Sequence, residues 1–158
     1  RELMNDADLI VNLQGDMPNI KPNSISKLVN LMKDNNCDIG TLASHIRDRR
    51  DIDNKNIVKV HTKESLNMSN FLVAKDFFRE KKYSNDKNIY HHIGIYAFTS
   101  AALTKYVKFP RSKLEIERNL EQMRAMENNL VIKVGLCDST PLGVDTEQDL
   151  IKVTQEMN

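Results

Sequence analysis

The sequence predicts an α/β fold with an antiparallel excursion in its middle. Three observations carry this. An apolar strand, a helix with one apolar face and a second apolar strand follow one another over residues 9–46. Residues 57–98 hold short β-prone runs with no helical stripe between them, and the last third returns to alternating helix and strand. Strand, helix, strand in that order favours a parallel pair with a right-handed crossover. The 158 residues are enough for one domain with a real core.

Bulk composition removes several function classes. Lys and Arg number 23 against 22 Asp and Glu, a net charge of +1. Nothing in that balance supports a nucleic-acid or membrane partner through electrostatics. No apolar run approaches the ~18 residues of a membrane span, and no leader peptide is visible, so the expected place is the cytoplasm. Cys37 and Cys137 form no CxxC pattern and read as small core residues of a reducing compartment. The chain opens on Arg1, and Arg1–Asn5 looks like the tail of a helix entering the first strand. More sequence is therefore expected before Arg1.

Taken in order, Leu9–Leu13 reads as a strand covered on both faces, as in a parallel sheet. Gln14-Gly15-Asp16-Met17-Pro18 stops it. Glycine permits close approach or an unusual φ, and proline fixes a turn. Pro22 suits the first turn of a helix that Asn23 or Ser24 would cap, with Ile25, Leu28, Val29 and Met32 on its apolar face. Residues 37–46 read as the second strand. Residues 47–56 read as a charged loop with one helical turn. Short strands follow at Ile57–Val60, Phe71–Val73 and Phe77-Phe78, and His92–Phe98 is a clear strand. The charged, polar stretch Arg79–Asn88 reads as a mobile or inserted loop. A short helix over 100–108 precedes a long one over 113–129, whose apolar face is Ile116, Leu120, Met123 and Met126. Glu117, Glu121 and Arg124 fall on its polar stripe. Val131–Leu136 reads as a strand. A last helix carries Leu150, Ile151 and Val153, opened by a capping-box pattern at Thr146-x-x-Asp149.

Two carboxylates draw the chemistry together. Asp16 sits past the carboxyl end of a predicted strand, the edge where open α/β sheets bind ligands. Asp145, in Gly143-Val144-Asp145-Thr146, follows a similar Gly-containing turn. Two converging carboxylates suit a Mg²⁺ ion that also holds a nucleoside triphosphate, since magnesium takes hard oxygens and fills its remaining positions with phosphate and water. Each also has a plainer reading: Gly-Asp before Pro is a common turn, and Asp145 beside Thr146 suits a helix cap. Gln14, His92 and Glu121 are equally compatible with structural roles. No Ser/His/Asp or Cys/His arrangement, zinc spacing, P-loop or GxGxxG is present.

Four stretches together resemble the CMP-Kdo synthetases, the 3-deoxy-manno-octulosonate cytidylyltransferases. They are Val11-Asn12-Leu13-Gln14-Gly15-Asp16-x-Pro18, His92-Ile93-Gly94-Ile95-Tyr96-Ala97, Leu120-Glu121-Gln122-Met123-Arg124 and Gly143-Val144-Asp145-Thr146-x-x-Asp149-Leu150. They fall in the family's order and span almost the whole chain. The resemblance implies a Rossmann-like, three-layer nucleotidyltransferase with a mixed sheet, forming homodimers, with residues 57–98 as the dimerisation-type excursion. It implies transfer of CMP from CTP to the anomeric hydroxyl of Kdo, with release of pyrophosphate, for lipopolysaccharide synthesis. Carried over, Asp16 and Asp145 match the Mg²⁺-binding, catalytic aspartates. Gln14 and Gly15 match the nucleotide side. His92, Gly94, Glu121 and Gln122 match the sugar-acid pocket.

The chain also departs from the family pattern. The family's opening strand and basic phosphate loop precede the QGD strand and are absent here, so this chain alone is expected to turn over little or nothing. Met17 stands where the family usually has Glu, and Asn67-Met68-Ser69-Asn70 where it has an aromatic pair, Ser and Arg. These changes keep two alternatives open. One is a cytidylyltransferase for another sugar acid, such as a sialic-acid-like one. The other is a non-catalytic nucleotide-binding or dimerisation relative.

Overall fold

A computed structural model describes residues 7–80, 87–141, 143–144 and 147–157. Its elements are β1 (Leu9–Asn12), α1 (Pro22–Asp34), β2 (Ile39–Ser44), α2 (Arg50–Asp53), β3 (Lys59–Thr62) and β4 (Phe71–Phe78). They continue with β5 (Ile89–Thr99), α3 (Ser100–Tyr106), α4 (Lys113–Arg118), α5 (Gln122–Glu127), β6 (Ile132–Leu136) and α6 (Glu147–Met157). The six strands form one mixed sheet in the order β1-β5-β2-β6-β4-β3, and β3 also pairs back to β5. Among the described residues β2 and β6 are the one parallel pair, and the other pairings are antiparallel.

Long β5 is the shared partner. Its residues 96–99 pair with β1, its residues 89–91 with β3, and its other edge with β2. The β2–β5 register slips between Thr41 and Leu42, a bulge that leaves residues 94 and 95 opposite no β2 residue. Apolar side chains fill both faces of the sheet. On one face Phe77, Phe98 and Val134 pack with Leu103, Leu120, Met123 and Ala125 from the α3–α5 side. On the other, Leu42, Ile95 and Ala97 pack with Leu28 and Met32 of α1. Helix, sheet and helix make the expected three layers.

Several expectations need correction. β1 is half-buried rather than covered on both faces, and Leu13 is 47% exposed. It runs antiparallel to β5, which separates it from β2, so the first two strands point the same way without pairing. Among the described residues no glycine has a positive φ, so the unusual φ offered for Gly15 does not hold, and a Cβ there would meet no protein atom within 4 Å. The α1 N-cap is Lys21, without a side-chain cap. Ser24 is instead buried against the Cys137 thiol at 3.1 Å. The Phe71–Val73 and Phe77-Phe78 pieces are one continuous strand, and the third strand begins at Lys59 rather than Ile57.

The long helix over 113–129 is two helices. α4 opens on a capping box between Ser112 and Glu115 and closes at Asn119, which adopts the left-handed conformation at φ 52°. Asparagine tolerates that region better than most residues. The break turns Ile116 outward, to 60% exposure, while Leu120 and Met123 stay buried. Residues 81–86 of the polar loop, with Asp145, Thr146 and the side chain of Asp149, lie outside the described residues. Among the described residues no helix is long and apolar enough to cross a membrane. Both cysteines are free and buried, and burial pushes the Cys37 thiol up to about 11, which suits an inert core residue.

Candidate active site

The end of β1 and the middle of β5 build one side of a site. Asn12 lies opposite Tyr96 in the ladder. The chain then leaves β1 and turns, with Met17 N–H donating to the Gln14 carbonyl at 3.5 Å. This turn lies over Gly94, where a Cβ would sit 3.4 Å from Met17 Cε and 3.9 Å from Gln14 Cγ. Gln14 and Gly94 are thus brought together by the missing side chain of the glycine. Asp16 is exposed, and its carbonyl accepts the N–H of Val144 at 2.8 Å. That bond ties the Gly143-Val144 segment to the QGD turn, 128 residues away in sequence by subtraction (144 − 16). The next residue, Asp145, is outside the described residues.

A cavity of about 350 Å³ opens beside this edge, between β1, β5, α3 and α5. Asn12, Tyr96, Tyr106, Glu121 and Gln122 give it polar character, over an apolar wall that includes Phe98 and Leu103. Its size and mainly apolar lining with a few polar groups are those of a small-ligand site. Glu121 and Gln122, which the family pattern pointed to, are in the wall of this cavity. Glu121 is exposed and its backbone carbonyl accepts the Tyr106 hydroxyl at 3.1 Å. Arg124, on the same predicted polar stripe as Glu121, forks onto Glu115 and lies 4.9 Å over the Tyr106 ring. The helix break at Asn119 makes this possible by bringing α5 back over α4.

His92 is not part of the cavity wall. It is 7% exposed, with its ring edge-on to Phe77 at 5.0 Å and 5.5 Å from Tyr96, which is in the wall. Its Nε2 meets the Thr41 hydroxyl at 2.9 Å. Burial, with His91 adding to it, drives the His92 imidazole down to about 3, so it is neutral near pH 7. Burial likewise raises the Tyr96 and Tyr106 phenols, which stay protonated. Sequence reasoning missed Thr41, Tyr96 and Tyr106. A threonine and tyrosines in or near strands look like ordinary β-formers and core residues; only the fold shows that they meet.

The oxygen chemistry fits Mg²⁺. Asp16 offers an exposed carboxylate at the ligand edge, and no cluster of three or more His, Cys, Asp or Glu gathers among the described residues. A site of one or two carboxylates completed by phosphate is the arrangement magnesium uses.

A mixed α/β sheet carrying a polar cavity beside a carboxylate turn is the framework of a nucleotidyltransferase. The chain belongs to the cytidylyltransferase family, whose model matches residues 1–133. It is 42% identical over 144 residues to a 3-deoxy-manno-octulosonate cytidylyltransferase of Bartonella bacilliformis, covering 91% of this chain and 58% of that protein. Against the enzyme of the same name from Thermodesulfovibrio yellowstonii it is 41% identical over 151 residues, covering 93% and 59%. The chain thus spans less than two thirds of these relatives. In three dimensions it resembles CMP:2-keto-3-deoxy-manno-octonic acid synthetase complexed with CTP, with a TM-score of 0.84 and 32% identity over 99% of this chain and 65% of that one. A UTP-bound UGPase from Acinetobacter baumannii shares the fold alone, at a TM-score of 0.62 and 10% identity over 95% of this chain and 48% of that one.

Proposed function

We propose that the protein, at its natural length, transfers CMP from CTP to the anomeric hydroxyl of Kdo and releases pyrophosphate. The observation that carries this is the meeting of the QGD turn with Gly94 of β5, beside a cavity that Glu121 and Gln122 line. Its support from outside the chain is the likeness to the CTP-bound synthetase over nearly the whole of this sequence. The product would supply lipopolysaccharide synthesis in the cytoplasm, and the antiparallel stretch 57–98 would serve a homodimer.

In this reaction the hydroxyl oxygen forms a bond to the α-phosphorus as the bond to pyrophosphate breaks. Such transfers depend on alignment and charge neutralisation, with little covalent work for the protein. Mg²⁺ bound by Asp16 and Asp145 would neutralise phosphate charge and make the hydroxyl more acidic. Gln14 would hold the nucleotide side of the turn, where Gly15 leaves the backbone uncovered. Glu121 and Gln122 would accept and donate hydrogen bonds to the sugar's hydroxyls, and the half-buried Tyr96 would close the cavity floor.

The test is CTP-dependent pyrophosphate release with Kdo and Mg²⁺, on protein of natural length. Asp16→Ala should reduce the rate by about 10²-fold or more. No release from the folded wild type would sink the reading. A second reading, transfer to another sugar acid, rests on Asn70. Its side chain accepts from Asn67 N–H and donates to the Ser65 carbonyl, both at 2.9 Å, so it is engaged within its own loop. Rates compared across several sugar acids separate the two, and a rate on Kdo below that on a sialic-acid-like substrate would favour the second.

A further inference from the structure

We infer that Ser44 and Thr140 are positioning residues: the bond between their hydroxyls staples the segment after β6 to the end of β2, and so holds Val144 on the QGD turn, one residue before Asp145. The role of Asp145 rests on the proposed function; the staple does not.

β2 and β6 end side by side, with Ala43 opposite Leu136. The chain leaving β6 keeps to β2 for one more step, where Cys137 N–H donates to the Ala43 carbonyl at 2.7 Å. On the helix side, the Ser24 hydroxyl lies 3.1 Å from the Cys137 thiol. Further along, the Thr140 hydroxyl meets that of Ser44 at 2.6 Å. Val144 N–H then reaches the Asp16 carbonyl, beyond the end of β1, at 2.8 Å. In the sheet order β1-β5-β2-β6 these anchors run from β6 over β2 to the turn after β1. They cross the carboxyl edge, where open α/β sheets bind ligands.

The Ser44–Thr140 pair is the middle anchor of this strap. Ser44 is buried at the last position of β2. A buried hydroxyl without a partner is costly, and among the described residues Thr140 is the side chain that meets it. Pro141 comes next, and its fixed φ carries forward an orientation set at Thr140. With its middle held, the strap loses less chain entropy when Val144 docks on Asp16. Magnesium takes one or two protein carboxylates. The hold on Val144 therefore governs how readily the acid that follows it joins Asp16 on the ion.

Amide exchange of the protein at natural length, without Mg²⁺, reads the staple directly. Thr140→Val and Ser44→Ala should each speed exchange at Val144 about ten-fold, while Leu42 and Val134 in the β2–β6 ladder exchange as in wild type. Thr140→Ser should match wild type. The double variant should exchange no faster than either single one, because both remove the same bond. Unchanged exchange at Val144 in folded Thr140→Val, or additive effects in the double variant, overturns the staple. If Ser44→Ala does not fold, Thr140→Val, altered on the more exposed side, decides. The Mg²⁺ concentration for half-maximal pyrophosphate release should rise about ten-fold in Thr140→Val with KM for the sugar acid little changed, and Thr140→Ser should restore it. An unchanged Mg²⁺ requirement, or an equal rise in KM for the sugar acid, overturns the positioning role. A wild type with no sugar-acid transfer overturns the role of Asp145 and the reading beneath it, while amide exchange independently settles the staple.

Discussion

Arg124 grips Glu115 with both ends of its guanidinium, Nε donating to Oε2 at 2.7 Å and Nη2 to Oε1. The Glu115 side chain is 3% exposed and also accepts from Arg111 and from the Ser112 backbone N–H. These bonds, that of Arg124 first, hold the carboxyl at about 2, well below the usual carboxylate range. Its folded value is depressed, so the stability it contributes is present above its unfolded value near 4.5 and is lost as pH falls from there towards 2. Glu115→Gln keeps the shape but removes the charge, leaving Arg124 without its anion over Tyr106. The expected loss at pH 7 is about 3 kcal/mol, measured by urea unfolding, and the gap to wild type should narrow below pH 4.

His92 acts in a different window. Its neutral form is buried, so between its ordinary value of 6.5 and its folded value of about 3 the unfolded chain binds a proton that the folded chain refuses. Stability therefore falls as pH drops through this range. The loss from this residue between pH 7 and pH 5 is roughly 2 kcal/mol. Thermal unfolding of His92→Gln should show a shallower pH slope over that interval than wild type; equal slopes would contradict a neutral buried imidazole.

Gly40 lies where α1 meets the sheet. A Cβ there would come within 2.5 Å of Met32 Sδ and 2.9 Å of Phe71 Cζ. The methionine can move, but the ring belongs to the closely packed β4. Gly40→Ala should cost about 1–3 kcal/mol in urea unfolding. Gly94→Ala, whose new atom meets only ordinary contacts with Met17 and Gln14, should leave stability nearly unchanged.

Lys59 is buried to 0% exposure, and its ammonium donates to the carbonyls of Asn54, Ile57 and Arg79. Burial lowers its pKa, yet the three carbonyls use all three of its protons. Lys59→Met preserves the apolar stem and strips three part-buried carbonyl contacts of their donor. The expected cost is about 3 kcal/mol, with faster amide exchange in residues 54–57 as the local readout.

Local pattern foretold much of this molecule. β5, β6 and the apolar faces of α1 and α5 follow from apolar spacing alone, and Pro22 does stand at the start of its helix. What escaped sequence reasoning depends on partners far along the chain. Nothing in Leu9–Leu13 shows that β5 will come between it and β2, because both settings favour the same β-prone residues. Asn119 was hidden because an asparagine inside a helical stripe is permitted, and only the Glu115–Arg124 fork shows what its turn achieves. In the site, the family pattern pointed to Glu121 and Gln122, and the fold sets both in the wall of one cavity. The Gln14–Gly94 contact and the Thr41–His92 bond arise from one register slip that no local signal records.

The central place of β5 also bears on how the chain acquires its shape. Among the described residues β1 pairs with β5 alone, and β2 with β5 and β6, so these ladders cannot form before residue 89 is available. Among the described strands, β3 and β4 are the pair that can close into a local hairpin during synthesis, while β1 and β2 wait for β5. Non-local pairing of this kind slows folding and lengthens the time that unpaired strands are exposed to one another. Refolding should therefore be slow and its yield should fall as protein concentration rises.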